Sequence, residues 1–102
     1  MEEKRECCHT TKTKERTEKE YKDLIHRLNR IEGQVRGIKT MVESDTYCTD
    51  ILIQVSAVNA ALNSFSKVLL GNHIRTCVAE DIRQGKEETV EELVATLQKL
   101  MK

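Results

Sequence analysis

Between Arg16 and Glu43 the apolar residues Leu24, Leu28, Ile31, Val35, Ile38 and Val42 recur at spacings of 4, 3, 4, 3 and 4. That is the seam of an amphipathic helix, widened by Tyr21, Ile25 and Met41. Gly33 and Gly37 lie four apart, where they either weaken this helix or let another backbone approach. Ser44-Asp45-Thr46 reads as a break and an N-cap. A second helix follows, with Ile51, Val55, Val58, Leu62, Phe65 and Leu69 again at 4, 3, 4, 3 and 4. Ser56, Ala57, Ala60, Ala61 and Ser64 supply small residues for close helix contacts. Gly71-Asn72 either ends this helix or loosens it, and the helical pattern resumes through Asp81 or Ile82. Gly85 marks the next boundary. Val90, Leu93, Val94, Leu97, Leu100 and Met101 then form a short third helix. Glu87, Glu88, Glu91 and Glu92 cluster near its N-terminus, where the helix dipole favours anions. Nothing reads as a strand. The pattern predicts an all-α, three-helix protomer with a long central helix. Residues 1–14 are polar and aperiodic, a flexible N-terminal tail, which leaves 15–102 as one all-helical domain.

Composition adds a requirement for partners. Among 102 residues only 3% are aromatic, with no Trp and one Phe. A core built from so few large side chains is thin for a monomer, so association is expected to be part of folding. Proline is absent, so nothing of that kind interrupts a long helix. The formal net charge is zero but unevenly spread: residues 1–40 hold eleven Lys or Arg against eight Asp or Glu, and residues 41–102 hold six against nine. The basic end is a candidate anion-binding region, although nucleic-acid domains usually carry more positive charge overall. No apolar run approaches the ~18 residues of a membrane span and no signal-peptide pattern opens the chain. The expected location is the cytoplasm, where four cysteines point to metal or redox chemistry rather than a disulfide framework.

His73 and Cys77 lie four apart, on one face of a helix and one turn from each other. Cys48 opens the second helix, about 37 Å from His73 if the helix is continuous. Metal–sulfur bonds are about 2.3 Å long in zinc sites, so Cys48 cannot share an ion with the other two residues of its own helix. At ~100° per residue, His73 and Cys77 each fall within about 20° of Cys48 around the helix axis. An antiparallel partner would therefore place Cys48 of one subunit beside His73 and Cys77 of the other, twice in a two-fold dimer. Two thiolates and an imidazole suit Cu(I), and three ligands fit its trigonal geometry, whereas structural zinc usually takes four. The same spacing also fits two thiols acting as small buried hydrophobes. Cys7, Cys8 and His9 form a second cluster in the tail, either an accessory metal site or a solvated, reduced segment without a fixed role.

Arg16, Lys19, Arg27 and Arg30 fall on one side of the first helix, with Lys22, Arg36 and Lys39 further round. Such a stripe can follow DNA phosphates, and it equally suits a solvated charged face interrupted by Glu20 and Asp23. His26 reads as a surface histidine. No nucleophile–base pair or paired carboxylates stand out, so the chain is not read as an enzyme and no small-molecule substrate is expected.

The run RLNRIEGQVRGIKTMVESDTYCTDILIQVSAV over 27–58, followed by NHIRTCV over 72–78, resembles the copper-sensing operon repressor family across about residues 17–101. The resemblance implies three-helix protomers that pair antiparallel and assemble into flat homotetramers. It implies a repressor of metal-export genes that leaves operator DNA when metal binds. The set Cys48, His73 and Cys77 looks like the Cu(I) branch, with Zn, Ni and Co as alternative metals. Nickel–cobalt members use more histidines, and persulfide-sensing members lack the histidine. In the copper branch a Tyr and a Glu stand outside the ligands. Tyr47 matches the first, and Glu92 matches the second if one residue is deleted after Gly85. Arg27 matches an arginine tied to DNA binding, but a second basic position in helix 2 aligns with Ser64. Two rival readings remain: a persulfide or redox sensor joining Cys48 to Cys77 across a dimer, and a copper carrier with no DNA role.

Overall fold

In the computed structural model, residues 14–101 are described. They form α1 (Glu18–Glu43), α2 (Cys48–His73), a π-helical turn (Ile74–Val78) with a closing α-helical turn (Ala79–Arg83), and α3 (Glu88–Leu100). No strand occurs among them. The first helix starts two residues later than the pattern suggests, because the Thr17 hydroxyl accepts the Glu20 N–H and caps it. Arg16 therefore precedes the helix and is not part of the cationic face expected on it. The residue immediately before α2 is Tyr47, so Thr46 does not hold the N-cap position. The third helix starts at Glu88, within the acidic cluster expected at its N-terminus.

Two helix ends close in the same way. After α1, Asp45 takes a left-handed φ of 58°. Its N–H donates to Val42 O at 3.2 Å, and Thr46 N–H donates to Met41 O at 2.9 Å. After the closing turn, Gly85 takes φ of 80°, with its N–H on Ile82 O at 3.0 Å and Lys86 N–H on Asp81 O at 2.9 Å. Both are Schellman closures, which absorb carbonyls left open by a helix C-terminus. Glycine adopts that φ without cost from a Cβ, whereas Asp45 pays a steric penalty and adds a negative charge at the negative end of the helix dipole. Asp45→Gly is expected to raise stability by about 0.5–1 kcal/mol, read from urea denaturation.

The described residues divide into two compact units, Thr17–Leu69 and residues 70–101 together with 14–16. In the first, α1 and α2 form an antiparallel hairpin around the 44–47 turn. Arg27 Nη1 donates to Ser64 Oγ at 3.4 Å. Arg27 lies sixteen residues before Glu43 and Ser64 sixteen after Cys48, so the two helices pair in register. Leu24, Ile31 and Val58 are buried there. The apolar seam expected on α1 splits into two: Leu24 and Ile31 turn inward, while Leu28, Val35 and Val42 are exposed, as are Tyr21 and Ile25. In the second unit the π turn, the closing turn and α3 bury Cys77, Val78, Asp81 and Thr89.

Among the described residues five apolar side chains are buried and fifteen large ones are exposed. Soluble monomers rarely leave so much apolar surface in water. The seam that splits on α1 has the physical form of a helix with one face for its own hairpin and another for a second chain.

Candidate metal centre

Cys48 and His73 are the first and last residues of α2, a helix of 26 residues and therefore about 37 Å long. Cys48 is exposed and free. Tyr47 precedes it, 73% exposed, with its carbonyl accepting the Asp50 and Ile51 N–H groups of the first turn. A thiol at this position is open to a ligand set arriving from another molecule.

At the other end the helix does not stop at Gly71-Asn72. It widens into the π turn that holds Cys77. There Ala79 N–H reaches Ile74 O, five residues back. Three β-branched residues, Ile74, Thr76 and Val78, crowd this turn and disfavour tight α winding. The Thr76 hydroxyl donates to Asn72 O at 2.7 Å, supplying from a side chain the bond that a wider turn takes from the backbone. The same hydroxyl accepts from Lys14 Nζ at 2.9 Å and lies 3.9 Å from Cys77 Sγ. Arg75 Nη2 donates to Asn72 Oδ1 at 3.0 Å. Its guanidinium lies 3.3 Å from where a Cβ on Gly71 would stand, so the glycine leaves room for that arginine rather than ending the helix.

Cys77 is in no disulfide and is 5% exposed, and His73 is half-buried. The expected spacing of the two survives the change of helix type, because four residues are close to one turn of either winding. π turns of this kind frequently mark functional sites. Sequence periodicity gave no sign of it, since it measures the spacing of apolar residues and not the hydrogen-bond ladder. Among the described residues, no three His, Cys, Asp or Glu side chains converge as ligands for one ion. Glu92 is exposed on α3. Cys7, Cys8 and His9 lie outside the described residues.

The cationic residues are placed unevenly. Lys19 and Arg30 are exposed on α1, eleven residues apart and so within about 20° of one another and ~16 Å apart along the axis. Arg27 is drawn inward: its side chain is 35% exposed and holds Asp23 Oδ2 through Nε at 3.1 Å as well as Ser64. Of the four basic residues proposed for DNA, it is the one whose guanidinium is already engaged by both helices of the hairpin. Arg16 is exposed before the N-cap.

Residues 20–99 match the family of metal-sensitive transcriptional repressors. The chain belongs to that family. This metal-sensitive repressor is 47% identical over 88 residues to the copper-sensing transcriptional repressor CsoR of Bacillus subtilis (strain 168), covering 85% of this chain and 87% of the relative. It is 51% identical over 59 residues to the copper-sensing transcriptional repressor RicR of Mycobacterium tuberculosis, covering 58% of this chain and 62% of the relative. Its fold matches the crystal structure of the copper-sensing repressor CsoR with Cu(I) from Geobacillus thermodenitrificans with a TM-score of 0.83 and 44% identity, over 88% of this chain and 95% of that one. The nickel-responsive transcriptional regulator InrS shares the fold at a TM-score of 0.67 and 38% identity, over 76% of this chain and 89% of that one. The family is one of repressors rather than enzymes. One fold thus serves both a copper-sensing and a nickel-responsive regulator.

Proposed function

We propose that this repressor senses Cu(I) through a site completed between subunits, by Cys48 of one protomer and His73 and Cys77 of another, and that filling the site releases it from operator DNA. The observation that carries this reading is the position of Cys48 and His73 at opposite ends of one 26-residue helix, with Cys77 in the turn that follows His73. Antiparallel pairing of two copies brings such ends together and makes two equivalent sites per dimer. Two soft thiolates and one imidazole are a donor set that favours Cu(I) over zinc, and three ligands leave it trigonal. The resemblance to copper-sensing relatives agrees with that choice. Tyr47 and Glu92 would stand beyond the ligands and orient them, as neighbours of metal-bound imidazoles commonly do.

No described helix is long and apolar enough to cross a membrane, and a DNA-binding repressor acts in the cytoplasm. Lys19, Arg30 and Arg16 supply exposed cations for phosphate contact. Arg27 reaches DNA only if it exchanges Asp23 or Ser64 for phosphate, which makes its engagement a property of the whole hairpin. Metal binding weakens DNA binding when the metal prefers the DNA-free conformation, and the coupling is reciprocal. Charge acts in the same direction: one Cu(I) displaces two thiol protons, so each filled site becomes more negative by one.

The test is an anaerobic titration of fully reduced protein with Cu(I) while its binding to duplex from its own promoter is followed by fluorescence anisotropy. Release is expected to be complete at one Cu(I) per protomer. Tight Cu(I) binding with no effect on DNA would instead identify a copper carrier, and release by persulfide but not Cu(I) would identify a sulfur sensor.

A further inference from the structure

Asp81 is the most buried side chain among the described residues, at 0% exposure, and its partner Thr89 is 3% exposed. Thr89 Oγ1 donates to Asp81 Oδ2 at 2.6 Å. The Asp81 carbonyl also accepts the N–H groups of Gln84 and Lys86 at 3.2 and 2.9 Å. One aspartate thereby fixes the closing turn of the central helix to the turn that follows it and to the second residue of α3. Burying a carboxylate is costly. Two apolar residues would fill this space without that cost, but they would not fix a direction. A short hydrogen bond does: it is lost on a shift of about 1 Å, whereas apolar contacts slide.

The position of Asp81 relates it to the metal ligands. His73, Cys77 and Asp81 are spaced four and four. In an α-helix throughout, His73 and Asp81 would drift apart by about 80° around the axis. The π turn between them holds more residues per turn and takes back part of that drift, so the three stay close to one line along the helix. Thr89, at the far side of the bond, is three residues before Glu92 on the same face of α3.

We propose that Asp81 and Thr89 are positioning residues for the metal response: their hydrogen bond transmits a displacement of Cys77 to the start of α3. The proposal rests on the reading of Cys77 as a Cu(I) ligand. If binding of metal drew Cys77 toward another subunit, the line of the helix that carries Asp81 would move, and the intact bond to Thr89 would carry the first turn of α3 with it, changing the surface that the assembly offers to DNA.

The test uses the full chain, Cu(I) and duplex from its own promoter. In the wild type, Cu(I) is expected to weaken DNA binding by about 5- to 150-fold, the usual range of such coupling. In Thr89→Val, which keeps the shape and removes the donor, that ratio is expected to fall below about threefold. Cu(I) affinity measured without DNA, and DNA affinity measured without Cu(I), should both stay near wild type. Thr89→Ser should restore the coupling, a rescue that a packing role for the methyl group would not give. Amide hydrogen exchange of the wild type provides a reading independent of any variant's folding: Cu(I) should change exchange in the first turn of α3. Wild type released by Cu(I) with Thr89→Val released equally, or α3 exchange unchanged by Cu(I), overturns the latch alone. Cu(I) failing to release the wild type overturns the functional reading, and the latch with it.

Discussion

Cys77→Ala is expected to bind promoter DNA as the wild type does and to ignore Cu(I). The thiol is buried, but alanine removes only one heavy atom, so a stability loss of roughly 0.5–1.5 kcal/mol is expected, similar to deleting one buried methyl group. The proposed site loses one of its three donors. Altering a mere neighbour of a ligand typically costs 10–100-fold in affinity, so losing a ligand should cost more than about 100-fold, measured by anaerobic competition with a chromophoric Cu(I) chelator. Cys48→Ala should behave alike, although Cys48 is exposed and lies at the opposite end of α2. The decisive form of the experiment mixes the two variants. In a heterodimer of Cys48→Ala and Cys77→Ala protomers, one site keeps Cys48, His73 and Cys77 and the other loses both thiolates. Tight binding of one Cu(I) per heterodimer is then expected, from two parents that each bind none tightly. No recovery on mixing, with subunit exchange verified, would place the donors within one chain and end the intersubunit reading.

How much of this could be read from the sequence depends on which physical signal each feature leaves. Helix existence was legible, because Leu24 to Val42 and Ile51 to Leu69 repeat at helical spacing over many turns. The ends were legible only where the chemistry was local. Gly85 announced its closure, but Asp45 performs the same left-handed closure without the residue that usually signals it. A candidate donor set could be drawn from the sequence, because the spacing of Cys48, His73 and Cys77 has geometric consequences, and it stands as a proposal. The π turn was not legible: Asn72, Thr76 and the β-branched residues that support it are individually ordinary. Nor was the Asp81–Thr89 pair, since a charged residue beside a turn reads as solvated until its partner eight residues on is seen to cover it. The inward position of Arg27 was hidden for the same reason, because its commitment to Ser64 spans thirty-seven residues.

The split seam on α1 leads to the second large effect. Val35→Glu is expected to dissolve the assembly and, with it, most of the helix content. Leu28, Val35 and Val42 are spaced seven apart, so they form one exposed stripe, and Val35 sits at its middle, 50% exposed in the single chain. If a second chain covers that stripe, a glutamate there is buried without a partner, at a cost of about 3–5 kcal/mol per copy. In a two-fold interface the substitution appears twice. A protomer released in this way keeps only five buried apolar side chains among the described residues, too few to offset the entropy of ordering three helices. Dissociation and unfolding should therefore coincide, seen as parallel loss of sedimenting mass and of helical circular dichroism at micromolar protein. Lys39→Ala, at an exposed position of the same helix, should change neither. A Val35→Glu protein that stays oligomeric with full helicity would show that the stripe faces water. A folded Val35→Glu monomer would show something different: that association serves only the metal site and DNA. The requirement for a partner would then come from the proposed metal site alone, because Cys48 and His73 lie at opposite ends of a 26-residue helix.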